Sequence, residues 1–244
     1  MDILHSQAEN EPVHAAMATV HAIAHFQCDI KEKFGAPRQS GLARHLTGRI
    51  VFEPQYRKPE MLRGLVDFSH IWIIWLFSKN FNRWTCTVRP PRLGGNKRMG
   101  VLACRSPFRP NPIGLSCVRI EKIALRTQDG PVICVSGADL IDGTPIIDIK
   151  PYIPYADCIM DASSGFVEGL PDTLLSVSFS VQARQKLNDY QRKVVTELLE
   201  LDPRPRYHAD RSRVYGMRYA HFDISFRVGD GHVEVFEVSE AELL

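Results

Sequence analysis

Five aspartates, Asp139, Asp142, Asp148, Asp157 and Asp161, fall in one stretch whose only basic residue is Lys150. The first three lie within the loop DLIDGTPIID. Carboxylates so placed can hold a divalent cation, take a proton, or pair with a ligand's ammonium group. No His-x-x-His or Glu-x-x-His spacing accompanies them, so proton transfer or ammonium binding is favoured and no metal is expected. Asp142-Gly143 is also a ready turn former, which gives that aspartate a purely structural role to weigh.

The preceding segment has the opposite character. Between Asp67 and Glu121 there is no acidic residue, yet nine cations occur: Lys79, Arg83, Arg89, Arg92, Lys97, Arg98, Arg105, Arg109 and Arg119. Repulsion among them is relieved by solvation or by an anion. Trp72, Trp75, Phe81, Trp84 and Phe108 are interleaved, a combination suited to phosphate contacts with base stacking. The plainer alternative is a solvated basic face over a tryptophan-rich core strand. Three loops stand out: PRQSG (Pro37–Gly41), RPPRLGGN (Arg89–Asn96) and RSPFRPNPIG (Arg105–Gly114). Proline stiffens them, glycine admits close approach, and arginine offers a planar donor fork for carboxylate or phosphate.

The elements that must position these loops read as short strands: Ala18–Asp29, Arg44–Phe52, Phe68–Phe77, Trp84–Val88, Ile113–Ala124, Val132–Ala138 and Pro145–Ile149. Asp129-Gly130 marks a hairpin between two of them. A short helix after Pro59 is the only one expected in the first half, and no helices alternate with the strands. An antiparallel barrel or sandwich follows, and a parallel sheet does not. Composition changes near Gly169. Ser180 is placed to cap one long helix with Ala183, Leu187, Tyr190, Val194, Leu198 and Leu201 on a face, stopped by Pro203. After an Arg-rich loop, a hairpin turning at Gly229-Asp230-Gly231 ends the chain. The fold class is therefore mainly β: a barrel domain over 15–168, then a small α+β domain over 169–244.

The 244 residues carry a formal net charge of +2, which excludes nothing about partners. Six cysteines, none in a Cys-x-x-Cys pair, read as reduced thiols. The first fifteen residues read as a disordered lead-in, too polar and acidic for a signal peptide. The apolar run Ile71–Phe77 is too short to span a bilayer. A soluble cytoplasmic protein without membrane contact is expected.

The segments KFGAPRQSGL, LRGLVDFSHIWIIWLF, VRPPRLGGN, RSPFRPNPIGLS and DLIDGTPIIDIKPYIPYAD, in this order over about residues 18–160, resemble the TsaA-like (TrmO) family. LDPRPRY…YGMRY is similar to the C-terminal domain of its bacterial members. Resemblance implies a β-barrel that binds S-adenosyl-L-methionine near a homodimer interface. It implies N6-methylation of threonylcarbamoyladenosine at position 37, beside the anticodon of threonine-type tRNA. A barrel agrees with the absence of a strand–GxGxxG–helix unit. The expected cofactor residues are Pro37, Arg38, Gln39, His70, Arg105, Ser106, Arg109, Asn111, Leu140, Asp142, Gly143 and Thr144. Arg38 or Arg105 would hold the cofactor carboxylate, and an aspartate of the 139–148 loop its ammonium. His70, Asp139 and Asp142 are the candidate bases. Arg89, Arg92, Lys97 and Arg98, extended by Arg204, Arg206, Arg211 and Arg213, are the expected surface for the tRNA anticodon loop. Leu102, Cys104 and Ser78 stand where the family tends to carry Phe, Thr and His. The rival readings are a non-catalytic RNA-binding barrel, a metal-dependent phosphohydrolase, and a family member with another substrate.

Overall fold

The computed structural model describes residues 19–80, 83–168, 174–204, 210 and 212–241. Six strands close into an antiparallel barrel: β1 (Ala24–Cys28), β2 (Thr47–Phe52), β3 (His70–Leu76), β6 (Ile113–Ala124), β7 (Val132–Ser136) and β8 (Pro145–Pro151), ordered β1-β2-β7-β6-β3-β8. Side-chain alternation sets the inside and outside of each strand. In β3, Ile71, Ile73 and Trp75 are buried while Trp72 and Ile74 face outward. Phe26, Ile50, Ile133, Val135 and Ile146 complete the barrel core from the other strands. Gly48 is required there because a methyl at that position would run into the Phe26 ring.

Between β3 and β6 the chain forms a two-stranded ribbon, β4 (Thr87–Val88) and β5 (Met99–Gly100), which is all that remains of the expected strand Trp84–Val88. The ribbon joins the RSPFRPNPIG loop through Thr85 N–H, which donates to the Phe108 carbonyl at 3.1 Å. Most expected barrel strands are shorter than their apolar runs. The expected strand from Ala18 begins only at Ala24, and that from Arg44 begins at Thr47. The short helix after Pro59 is a 3-10 turn, Pro59–Leu62. A one-turn helix, α1 (Pro154–Asp157), follows β8 within the barrel domain, at a point where the sequence reading placed no helix.

The second half carries a four-stranded sheet ordered β10-β11-β12-β9, from β9 (Ser176–Phe179), β10 (Tyr215–Tyr219), β11 (Phe222–Gly229) and β12 (His232–Glu240). The β11–β12 hairpin turns on Asp230-Gly231, both at positive φ, as a two-residue loop matching strand twist requires. β9 pairs parallel to β12, a strand that the sequence reading of this half did not include. The expected single long helix is two, α2 (Val181–Lys186) and α3 (Asp189–Glu200). Ser180 caps the first through the Ala183 N–H. Asn188 interrupts the run by capping the second in a reciprocal box with Gln191. The helices bury Val194, Val195, Leu198 and Leu199 against Ile224, Phe226 and Val235, and Ile30, Ala43 and Leu46 from the barrel half join this second core.

Candidate functional site

Three loops meet at one end of the barrel. β7 ends at Ser136, and the chain runs on through Gly137 to Asp139, beside Ser116 of β6. Gly41 N–H donates to the Gly137 carbonyl at 2.8 Å, fastening the PRQSG loop to this segment. Arg105, from the third loop, donates to the Gln39 side-chain carbonyl at 2.6 Å. Asp139 sits among them. Burial pushes its carboxyl above the usual carboxylate range; the Ser116 hydroxyl, its own amide, Arg105 and the Ser40 amide pull the other way. Ser116 Oγ donates to Asp139 Oδ1 at 2.5 Å and accepts from the Trp75 indole N–H at 2.9 Å.

The other expected residues are placed differently. Asp142 accepts the Cys28 N–H at 2.9 Å on Oδ1 and pairs with Lys31 at 2.8 Å on Oδ2, so its carboxylate closes the 139–144 loop onto β1. It borders a cleft of about 630 Å³ with Lys31, Arg49 and Cys134. The same loop is fixed by Asp142 N–H to Ile30 and Gly143 N–H to Phe26, both at 2.8 Å. Leu140 fills the barrel core, and Thr144 spends its hydroxyl on the Ile141 carbonyl at 2.6 Å. Gly143 lies at φ +73°, and a β-carbon built there would meet nothing within 4 Å, so there is open space on that side of the loop. Cys28, whose thiol burial pushes up to about 12, stays a thiol and donates to the Leu140 carbonyl at 3.5 Å.

Arg38 points away from Asp139: its guanidinium donates to the carbonyls of Asp202 and Arg204, at 2.8 and 3.3 Å, just past the end of α3. Pro37 is buried beneath that contact. Arg109 donates to the Cys104 carbonyl at 3.1 Å, and Ser106 Oγ accepts the Phe108 N–H at 3.2 Å, so both shape their own loop. Asn111 is exposed, with its carbonyl taken by Ile113 N–H. His70 lies at the start of β3, bonded to Ser69 at 2.8 Å and edge-on to Tyr152. Ser116 is level with Ile73, so His70 is three residues, or about 10 Å, along the strand.

Among the expected RNA contacts, Arg89 and Lys97 are exposed on the β4–β5 ribbon. Arg98 is held by Thr87 Oγ1 at 2.8 Å. Arg92 sits in the 3-10 turn Pro91–Leu93. Arg204 makes a two-point pair with Asp202, and Arg213 lies 5.5 Å from the Tyr215 ring centre. Arg206 and Arg211 lie outside the described residues. Among the described residues, no group of three or more His, Cys, Asp or Glu could hold a metal, and no helix is long and apolar enough to cross a membrane. The expectations did not include Ser116, and they set Trp75 among the aromatics suited to base stacking, whereas it is buried in the barrel and bonded to Ser116. Their signal was the alternation itself, since Ser116 is the one hydroxyl in the inward phase Gly114, Ser116, Val118.

A closed barrel whose end loops gather a guanidinium, an amide and a half-buried carboxylate, with a cationic ribbon alongside, defines a barrel protein with small-ligand chemistry at its rim. More narrowly, the chain belongs to the tRNA-methyltransferase O family. The model of that family's N-terminal domain matches residues 25–158, and that of its C-terminal domain matches residues 172–241. The chain is 39% identical over 215 residues to the tRNA (adenine(37)-N6)-methyltransferase of Escherichia coli K12, covering 84% of this chain and 91% of that protein. It is 33% identical over 138 residues, 57% of this chain and 70% of the other, to a Pyrococcus abyssi protein named "Probable S-adenosyl-L-methionine-binding protein". The crystal structure of TrmO from Pseudomonas aeruginosa superposes with a TM-score of 0.75 at 32% identity, covering 92% of this chain and 99% of that one.

Proposed function

We propose that this protein is an S-adenosylmethionine-dependent methyltransferase acting on N6 of adenine 37 in tRNA, the position named for its Escherichia coli relative. The acceptor in this reading is the threonylcarbamoylated adenine of threonine-type tRNA. The observation that carries it is Arg105, Gln39 and Asp139 brought together at the barrel end in a chain of this family. The donor set fits the cofactor: the Arg105 guanidinium matches the carboxylate of its amino-acid tail, and the space beside Gly143, where a β-carbon would meet nothing within 4 Å, admits a close-packed nucleoside.

When bound, the cofactor supplies an electrophilic methyl group on a sulfonium that departs as a neutral thioether. Arg105, steadied by Gln39, holds the cofactor carboxylate. The 140–144 loop, locked to β1 by Asp142, forms a fixed wall for the adenosine. Asp139 is the best-placed proton acceptor, because His70 lies farther along β3 and Asp142 is already paired with Lys31. The Asp139 carboxylate would take the N6 proton as N6 accepts the methyl group, so that charge balances. Alignment of the two partners supplies much of the remaining rate. Arg89 and Lys97, with Arg92 and the 204–213 segment, receive the anticodon-loop phosphates, and Trp84, 56% exposed, offers a stacking face. In this reading residues 15–168 carry the chemistry and 169–244 assist in tRNA binding. The protein works in the cytoplasm as a homodimer, without a metal.

The test is calorimetric titration with S-adenosylmethionine, followed by mass spectrometry of threonylcarbamoylated tRNA incubated with protein and cofactor. Binding near one cofactor per chain and the gain of one methyl group at adenine 37 are expected. Absence of cofactor binding both with and without tRNA would overturn the reading.

A further inference from the structure

The Asp139 carboxylate is held from behind, from inside the barrel. The Trp75 indole N–H is a donor only, and Ser116 has one hydroxyl proton. Because Ser116 Oγ accepts from Trp75 at 2.9 Å, its proton is directed to Asp139 Oδ1 at 2.5 Å. Ser116 is fully buried and Trp75 nearly so, so neither group can turn to water. The Trp75 ring is fixed in turn. It lies over Gly114, where a methyl would run into it, and its centre is 4.2 Å from that of Phe77.

We propose that Trp75 and Ser116 are positioning residues for methyl transfer, a one-way donor relay that keeps the Asp139 carboxylate oriented and able to take the N6 proton. The inference rests on the reading of Asp139 as proton acceptor. A protonated Asp139 would accept the Ser116 hydroxyl more weakly than the carboxylate does, so the relay disfavours that form. Desolvation works in the opposite direction, and the charged and polar groups facing the carboxylate besides Ser116 are Arg105 and the amides of Ser40 and Asp139. These donors leave lone-pair capacity for one more hydrogen on the loop side. Tyrosine, cysteine or lysine bases are not needed for the step.

The 244-residue chain contains three tryptophans, so its indole N–H resonances can be followed individually, with Trp75→Phe assigning the relevant one. In ligand-free protein the Trp75 N–H resonance should move as pH is lowered through the Asp139 titration and stay flat in Asp139→Asn. Ser116→Ala should lower kcat about tenfold at neutral pH, with a smaller change in cofactor KM, and shift the acid limb of the kcat profile to higher pH. Ser116→Thr, which keeps the hydroxyl, should restore both. A Trp75 resonance indifferent to Asp139→Asn overturns the relay. An intact relay with normal turnover in Asp139→Asn overturns instead the assignment of Asp139 as proton acceptor, and the positioning role with it.

Discussion

A carboxylate placed where burial opposes its charge is costly to the fold, and Asp139 is such a group. Its folded pKa lies above the ordinary value of 3.8, so between the two values the folded chain binds more proton than the unfolded one. The stability linked to this group is therefore fully present below pH 3.8 and declines as pH rises through the folded value. Asp139→Asn, which still accepts from Ser116, should melt higher than the parent at pH 7, and the difference should vanish toward pH 3.8. The same variant should lose about 10²- to 10⁴-fold in methyl transfer, the usual contribution of a positioned base. A lower melting temperature at pH 7 would mean that the hydrogen bonds to the carboxylate outweigh its burial. Gly114→Ala tests the opposite side of the ring. The added methyl must displace Trp75, so it should cost about 1–3 kcal/mol of stability and reduce turnover through the displaced indole.

The two halves of the chain are joined by elements whose contacts are specific and few. Glu197 of α3 accepts both the His45 N–H at 2.9 Å and its ring Nδ1 at 2.7 Å, and Tyr190 donates to the His45 carbonyl while bonding Thr47. Glu197→Ala should remove about 1–2 kcal/mol. In a chain of this size that lowers Tm by about 2–4 °C per kcal/mol, measurable by calorimetry. A Tm unchanged within error would show that the apolar contacts of Ile30, Ala43 and Leu46 hold the halves together unaided. These joints were not legible in the sequence, because nothing local links His45 to a helix 152 residues away. The barrel was legible: Ile113–Ala124 forms β6 over that full span, alternating as far as Val118 before a register shift between Ile120 and Lys122. The long helix misled because apolar spacing continues across Leu187, which stays buried, while the break is encoded in polar chemistry, Asn188 and Gln191 three apart. β9 escaped notice because a four-residue parallel strand carries no hairpin turn to mark it. At the site, the loops were legible from their arginines, glycines and aspartates. Which aspartate faces the rim was not, since Asp139 and Asp142 differ by tertiary partners alone.

At the scale of the whole molecule, the cationic β4–β5 ribbon and the apolar outer wall of the barrel are built from different segments of the chain. If the β4–β5 ribbon meets tRNA phosphates, replacing Arg89 and Lys97 together should weaken tRNA binding and reduce the slope of log affinity against log salt by about 0.7–0.9 per lost contact, with cofactor affinity unchanged. An unchanged slope would move the RNA surface elsewhere. The apolar surface lies on the outside of β3, β6 and β8. Trp72 pairs with Cys117 and Lys150, and Ile74 with Leu115 and Asp148, so their outward side chains form adjacent rows. Leu115 is 55% exposed and Ile113 40%, while Tyr155 in α1 and Ile159 and Met160 beyond it are more exposed still. Sheet exteriors facing water ordinarily alternate to polar residues; here the outward phase of β3 and β6 stays largely apolar. A second copy of the chain, placed face to face across this surface, is the partner that the family resemblance implies. It would bring the partner's loops near the rim where Arg105 and Asp139 lie. The wild-type protein should therefore sediment as a dimer at micromolar concentration. Ile74→Glu combined with Leu115→Glu should sediment as a monomer with an unchanged far-ultraviolet spectrum, because both side chains point out of the barrel and leave its core intact. Dimers persisting in the double variant would place the interface on another face, and a monomeric wild type would leave this surface to a different partner.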